Sequence, residues 1–141
     1  RLDNMVLHAT EPKVIAVLDW ELSTLGDPLA DFSYHLMNWV MPPGDSSRGS
    51  LSAIPDLKAW GIPTMQEYVD MYCEHTGRDG MPQLDYYFAY NGFRLAGILQ
   101  GIIGRVRDGT ANSANAESNA ARVVPLAKFA ASYARRAGMT G

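Results

Sequence analysis

An amide and a carboxylate at the two ends of a short apolar hairpin are the residues best suited to chemistry. Asn4 stands just before the apolar run Met5–Leu7, and Asp19 stands just after the run 14–18. The residues at 9–13 include a proline and polar side chains that suit a hairpin turn. A hairpin would bring Asn4 and Asp19 to the same end, where their oxygens are hard ligands of the kind that Mg²⁺ binds. The pair predicts a magnesium site, although each residue taken alone also fits an ordinary loop or turn.

The elements that must position this pair are two strands and a helix. The run 14–18 is unbroken and rich in β-branched residues, which is typical of a buried strand. After it, Asp27 followed by Pro28 has the form of an N-cap with proline at the first helical position. The sequence therefore predicts a hairpin, a loop and a helix in close succession, with Asp27 explained locally by its cap.

Three motifs in this stretch resemble those of a known family. Residues 1–4 read RLDN, residues 17–21 read VLDWE, and residues 26–31 read GDPLAD. They resemble the tail of the catalytic loop H-G-D-x-x-x-x-N, the metal motif I-D-[WF]-[EG] and the helix start G-D-P-x-x-D of the aminoglycoside phosphotransferase-like family. The wording of 14–36 is similar to the branch related to the kinase-like domain of certain acyl-CoA dehydrogenases. The resemblance is sharp over the first third of the chain and loose after it.

This resemblance implies an ATP-dependent phosphotransferase with a protein-kinase-like fold, using Mg²⁺ and ATP to phosphorylate a hydroxyl on a small molecule. It implies that Asp19 is the principal metal ligand and Asn4 the second. Glu21 either aids the metal through water or is a solvated loop carboxylate. Asp31 either braces the catalytic loop through backbone hydrogen bonds or only interacts with the helix dipole.

The catalytic aspartate of such a loop lies five positions before its asparagine, and counting back from Asn4 passes Arg1. We therefore expect residues 1–141 to be the metal- and acceptor-binding C-terminal lobe of a longer kinase-like enzyme. The expected fold is mainly α with a small β-hairpin, and the nucleotide lobe and the catalytic aspartate are expected upstream. The chain alone is then expected to be inactive and open to self-association where its partner lobe would sit. The alternative is a helical interaction module with a remnant, inactive kinase-like site.

The choice of acceptor rests on the helices after residue 64. A polycationic aminoglycoside would favour a strongly acidic pocket, whereas these helices combine Tyr and Arg with few acids. This weakly favours a hydroxyacyl or acyl-CoA-like acceptor, as the similar branch implies. Tyr86, Tyr90 and Arg94 recur at a spacing of four. They either line an acceptor pocket or form a surface stripe that packs against a neighbour.

The remaining helices follow from caps and apolar periods. Residues 64–67 form a capping box, residues 83–107 keep the longest helical period, and a final helix is predicted over 114–137. The segment 83–107 carries four glycines, and each would cost about 1 kcal/mol of helix stability relative to alanine. We expect these glycines to lie against neighbouring helices, so that Gly101→Leu destabilises by roughly 1–3 kcal/mol through overpacking. The glycines are Gly92, Gly97, Gly101 and Gly104.

Composition bounds the class of protein. A chain of 141 residues with 47% hydrophobic and 19% charged residues fits one soluble globular piece. The net charge of -3 gives no basic footprint for nucleic acid. No apolar run is long enough for a bilayer and no signal-peptide pattern is visible, so we expect no membrane partner. The single cysteine, Cys73, excludes an internal disulfide and suits a reducing compartment such as the cytoplasm.

Overall fold

The structure, a computed structural model, describes residues 4–21, 23–41, 50–110 and 116–140. Within these ranges a two-stranded hairpin precedes four α-helices, and short 3₁₀ helices lie at Leu51–Ala53 and Lys58–Trp60. The predicted mainly α architecture with one small hairpin is confirmed. Residues 1–3 of the proposed catalytic-loop tail and the predicted start of the last helix lie outside the described residues.

The hairpin consists of β1 (Met5–Leu7) and β2 (Val14–Val17), which pair antiparallel. Met5 lies opposite Val17, and the pairing becomes irregular after Val6. The turn is closed by the His8 backbone N–H, which donates to the Lys13 carbonyl at 2.8 Å. The predicted hairpin is therefore present, with its two free ends adjacent.

The prediction that the second apolar run forms a buried strand is wrong. All four residues of β2 are exposed, and Ile15 and Val17 keep 54% and 58% of their surface accessible. The β-branched side chains favour the extended backbone through their restricted χ1 angles, whether or not another layer covers them. The pattern thus predicted the strand correctly and its environment incorrectly.

Helix α1 (Pro28–Val40) follows the loop after β2. Its cap is Asp27, whose side chain accepts a hydrogen bond from the Leu29 N–H at 2.9 Å, with Pro28 at the first helical position. One face of α1 is buried through Ser33, Leu36 and Met37. The predicted N-cap is confirmed, and the helix turns its apolar face towards the rest of the helical body.

Helix α2 (Met65–Thr76) begins with the predicted capping box between Thr64 and Glu67, and it ends at Gly77, which has φ +66°. It packs on α1 through stacked aromatic rings. The Phe32 and Tyr72 ring centroids lie 3.7 Å apart, and the Trp39 and Tyr68 centroids lie 5.1 Å apart. These stacked rings bury apolar area between the two helices.

Helix α3 (Leu84–Arg107) is the longest described helix, as the sequence predicts, and it is central because it packs against both α1 and α4 (Ala116–Arg136). The core is one cluster shared by the four helices. Its fully or nearly buried members are Leu36, Met37, Val69, Phe88, Leu95, Ala96, Leu99, Leu126 and Phe129.

Only one of the four α3 glycines lies against a neighbouring helix, as we expected for all four. A Cβ at Gly92 would meet the Phe129 ring at 2.8 Å, whereas a Cβ at Gly97 or Gly104 would meet nothing within 4 Å. Gly101 would meet only the Arg105 guanidinium, at 3.7 Å, so the expected overpacking at Gly101 is wrong. The helical period explains the difference. Gly92 falls on the face of Phe88, Leu95 and Leu99, whereas the other three follow the exposed line of Tyr86, Tyr90 and Phe93.

Candidate functional site

The open end of the hairpin brings Asn4 and Asp19 together. The Leu18 N–H donates to the Asn4 carbonyl at 2.7 Å, which extends the strand pairing by one hydrogen bond beyond β1. The Asn4 Nδ2 then donates to the Asp19 Oδ2 at 3.2 Å. The two side chains therefore share one end of the hairpin, as the sequence predicted. Their assignment as metal ligands stays a prediction.

Asp19 adopts a backbone conformation that is uncommon outside glycine. Its φ is +58°, in the left-handed region, where aspartate is tolerated better than most residues. This is the point at which the chain leaves the strand, and the side chain reaches back to Asn4. Left-handed non-glycine residues are concentrated at functional sites, which favours a role for Asp19 beyond that of a turn residue.

The donor set of the pair suits a small hard cation. One carboxylate and one amide oxygen are a partial shell, and Mg²⁺ usually takes one or two carboxylates and completes its shell with phosphate oxygens and water. Asn4 offers its oxygen once the amide rotates, because its nitrogen now points to Asp19. Among the described residues, no three His, Cys, Asp or Glu side chains gather in a way that would hold a metal. The residues present fit Mg²⁺ bound together with a phosphate-bearing ligand.

The two other predicted acidic residues lie close to this segment in sequence. Glu21 is exposed in the turn after β2, and Asp31 is exposed in the first turn of α1. Within the described ranges neither carboxylate forms a hydrogen bond or an ion pair. Asp31 is placed favourably for the positive end of the α1 dipole. The supporting roles of both residues stay predictions.

The start of α1 is held by a residue that sequence reasoning missed. While one Asp27 oxygen caps the helix, the Tyr87 hydroxyl on α3 donates a hydrogen bond to the other. The hydrogen bond from Tyr87, and then that from the Leu29 N–H, lowers the pKa of Asp27 below its ordinary value. The same hydrogen bond raises the pKa of Tyr87. Asp27 is therefore both a cap and an anchor to α3.

A second missed residue lies one turn further along α3. Asn91 is fully buried, and its Nδ2 donates at 2.9 Å to the Ala30 carbonyl and at 2.9 Å to the Ser33 Oγ. Its Oδ1 is buried without a hydrogen-bond partner in the part of the chain that the structure describes. The signal in the sequence is a polar asparagine within the apolar period of 83–107.

The three predicted acceptor residues lie on the exposed side of α3. Tyr86 and Tyr90 keep 50% and 47% of their surface accessible, and the Arg94 guanidinium lies 5.7 Å from the centre of the Tyr34 ring. Tyr86 lines a shallow depression of about 530 Å³ with Arg136, but Tyr90 and Arg94 do not line it. The structure thus places the three residues on one side of a helix and not around one cavity. Their acceptor role stays a prediction.

None of the described helices is long and apolar enough to cross a membrane.

Comparison with known proteins agrees with the resemblance in the sequence. The sequence profile of the phosphotransferase enzyme family matches residues 1–86. Acyl-CoA dehydrogenase family member 10 of Mus musculus is 40% identical over 140 residues, which are 98% of this chain and 13% of that protein. Acyl-CoA dehydrogenase family member 11 of Homo sapiens is 37% identical over 139 residues, which are 96% of this chain and 17% of that protein.

A plant protein is also similar. The probable acyl-CoA dehydrogenase IBR3 of Arabidopsis thaliana is 31% identical over 125 residues, which are 84% of this chain and 15% of that protein. The chain thus spans less than a fifth of the length of each of these curated relatives. No solved structure matches the chain significantly. The chain belongs to the phosphotransferase enzyme family, in the branch associated with acyl-CoA dehydrogenase family members 10 and 11.

Proposed function

We propose that this chain is the metal- and acceptor-binding lobe of an ATP-dependent phosphotransferase that phosphorylates a hydroxyl group of a small molecule. The proposal rests on one observation above all, the placement of the Asp19 carboxylate against the Asn4 amide at the end of the hairpin. The family match over 1–86 includes this hairpin and the start of α1. The nucleotide lobe and the catalytic aspartate would belong to a longer polypeptide.

Each residue of the pair has a distinct part in this chemistry. When bound, Mg²⁺ would neutralise the charge that develops on the phosphates during transfer. Asp19 would supply the anionic ligand, and its exposed position leaves its oxygens open to a bound nucleotide. Asn4, half-buried and fixed by the Leu18 hydrogen bond to its carbonyl, would supply the neutral ligand. Catalysis would then come from alignment of the phosphates more than from covalent chemistry by this lobe.

The proposed acceptor is a hydroxyacyl or acyl-CoA-like molecule. The exposed side of α3 presents Tyr86, Tyr90 and Arg94 without a row of acidic side chains, which suits an anionic or neutral acceptor better than a polycation. The names of the relatives, acyl-CoA dehydrogenase family members, also refer to acyl-CoA chemistry. Both points favour an acyl-CoA-like acceptor over an aminoglycoside.

The test is turnover of ATP by the longest polypeptide that the gene encodes, with the 141-residue chain assayed beside it. Panels of hydroxyacyl-CoA and aminoglycoside acceptors are compared in the presence of Mg²⁺. We expect the long polypeptide to phosphorylate a hydroxyacyl acceptor and the 141-residue chain to be inactive. Asp19→Ala in the long polypeptide should lower kcat by about 100-fold or more, since metal stabilisation is worth several kcal/mol.

The matched control is Glu11→Ala, which removes an exposed carboxylate from the opposite end of the same hairpin. It should leave turnover unchanged. Robust turnover by the 141-residue chain alone, or full activity of Asp19→Ala, would contradict the proposal.

A second candidate function is supported by the exposed apolar surface. Val14, Ile15 and Val17 on β2 and Phe93 on α3 are all about half exposed or more, and Phe93 reaches 74%. Surfaces of this kind are typical of protein interfaces, which favours an interaction module with an inactive site. A long polypeptide that binds neither ATP nor Mn²⁺ would support this alternative over the phosphotransferase.

A further inference from the structure

Two polar contacts, one turn apart on α3, hold the beginning of α1. The Tyr87 hydroxyl donates to the carboxylate of Asp27, the residue that caps α1. Four residues later, the Asn91 amide donates to the Ala30 carbonyl and to the Ser33 hydroxyl, both at 2.9 Å. The other contacts between these helices include the Arg94 guanidinium over the Tyr34 ring, at 5.7 Å, and apolar side chains such as Leu36 and Phe88. Among the described residues, the hydrogen bonds between α1 and α3 are therefore concentrated at the N-terminal end of α1.

The Asn91 contact is poorly explained by stability alone. The side chain is fully buried, and its Oδ1 has no hydrogen-bond partner among the described residues. The desolvation cost of such an acceptor is comparable to the gain from the two hydrogen bonds that the nitrogen makes. An apolar side chain of similar size would serve the packing at least as well. Asparagine instead fixes the position of α1 relative to α3, because the Ala30 carbonyl and the Ser33 hydroxyl must both lie within hydrogen-bond distance of the Asn91 Nδ2.

The two contacts restrict different displacements of α1. A slide of α1 by a single residue along its axis would move the Ala30 carbonyl by about 1.5 Å and break the Asn91 hydrogen bond. An outward tilt of the first turn would instead separate Asp27 from Tyr87. Because Asp19 is only eight positions before Asp27, the start of α1 is also where the loop from the metal pair is anchored.

We propose that Tyr87 and Asn91 form a clamp that positions the start of α1, and with it segment 19–31, relative to α3. This inference rests on the proposed function, because segment 19–31 contains the metal ligand Asp19 and also Asp31. In that setting Tyr87 and Asn91 are positioning residues that touch neither metal nor substrate. They act on catalysis by keeping α1 and the preceding loop in one position relative to α3.

The first test measures amide hydrogen exchange in the 141-residue chain. The variants are Tyr87→Phe, which removes only the hydroxyl, and Asn91→Leu, which keeps the volume and removes the amide. The control is Tyr133→Phe on α4, whose hydroxyl forms no hydrogen bond among the described residues and whose ring contacts Phe88 and Phe129. We expect both clamp variants to exchange at least about 10-fold faster at residues 29–33, with α2 unchanged and the control like wild type.

Unchanged exchange at residues 29–33 in both clamp variants would overturn the proposal. Equal acceleration in every helix would overturn it as well, because that result indicates only a general loss of stability. The hydrogen-exchange readout does not depend on any enzymatic activity. It therefore tests the clamp even if the proposed function is wrong.

The second test measures phosphotransfer by the longest polypeptide that the gene encodes. A loss of alignment predicts that Tyr87→Phe and Asn91→Leu lower kcat by roughly 10-fold while KM for ATP stays nearly the same, and that Tyr133→Phe changes neither. Wild-type kinetics in both clamp variants would overturn the catalytic part of the inference. A wild-type polypeptide without phosphotransfer, combined with faster exchange at residues 29–33, would support the clamp and overturn the proposed function.

Discussion

Adding a single methyl group to α3 should affect the stability of the protein in opposite directions at two of its glycines. Gly92 is buried and Gly101 is exposed, and both lie inside the helix, away from its ends. Substitution by alanine gives each position the same gain in helix propensity, about 1 kcal/mol. The difference between Gly92→Ala and Gly101→Ala therefore isolates the effect of packing.

The magnitude follows from what the new methyl group would meet. At Gly92 it would lie 2.8 Å from the Phe129 ring and 3.2 Å from the Ala130 Cβ, so these atoms or the helices must move by several tenths of an ångström. Phe129 is 7% exposed and packs on the Tyr133 ring at a centroid distance of 4.7 Å, so it has little room to turn. Overpacking of this kind costs about 1–3 kcal/mol. At Gly101 the methyl group would meet only Arg105, at an ordinary contact distance of 3.7 Å.

Thermal unfolding followed by circular dichroism measures both variants. We expect Gly101→Ala to raise Tm relative to wild type. Gly92→Ala should be less stable than Gly101→Ala by roughly 1–3 kcal/mol, which corresponds to a Tm lower by about 4–12 °C for a chain of this size. Equal Tm values for the two variants would refute the close approach of α3 and α4 at Gly92. A lower Tm for Gly101→Ala than for wild type would refute the exposure of Gly101.

Two further predictions concern stability. The hydrogen bonds from the Thr64 backbone and hydroxyl, with the nearby Lys58, lower the pKa of Glu67 from its ordinary value of 4.5 to about 2. The ionised Glu67 should therefore stabilise the fold fully above pH 4.5, and this stabilisation should be lost as the pH falls towards 2. Glu67→Gln should accordingly lower Tm at pH 7, and its Tm should converge with that of wild type near pH 2. Glu74→Gln on the same helix should leave Tm at pH 7 unchanged. Leu36→Ala, at a fully buried position between α1 and α3, should lower the free energy of unfolding by about 2–5 kcal/mol in a urea titration, and a loss below 1 kcal/mol would contradict this core.

Local sequence signals predicted the elements well. The hairpin, the Asp27 cap and the capping box at Thr64 each depend on residues within a few positions of one another. The juxtaposition of Asn4 and Asp19 spans 15 positions, yet it follows from the hairpin alone. For the same reason residue types and spacing are sufficient to predict that Asn4 and Asp19 lie together.

Relations between distant elements were not accessible in this way. The contact of Tyr87 with Asp27 spans 60 positions, and that of Asn91 with Ala30 spans 61, so neither leaves a local pattern. The exposure of β2 and of Gly101 also depends on whether another element packs against them, and secondary-structure propensity carries no information about such packing. The helical period separates Gly92 from Gly101, but only once the buried face of α3 has been identified.

The most direct measurement for the proposed metal site is Mn²⁺ binding followed by electron paramagnetic resonance, with ATP present. It uses the longest polypeptide that the gene encodes and compares wild type with Asp19→Asn, Asn4→Ala and Glu11→Gln. We expect Asp19→Asn to weaken Mn²⁺ binding by at least about 10-fold, Asn4→Ala to weaken it less, and Glu11→Gln to leave it unchanged. Equal Mn²⁺ affinity in wild type and Asp19→Asn would contradict the assignment of Asp19 as the metal ligand.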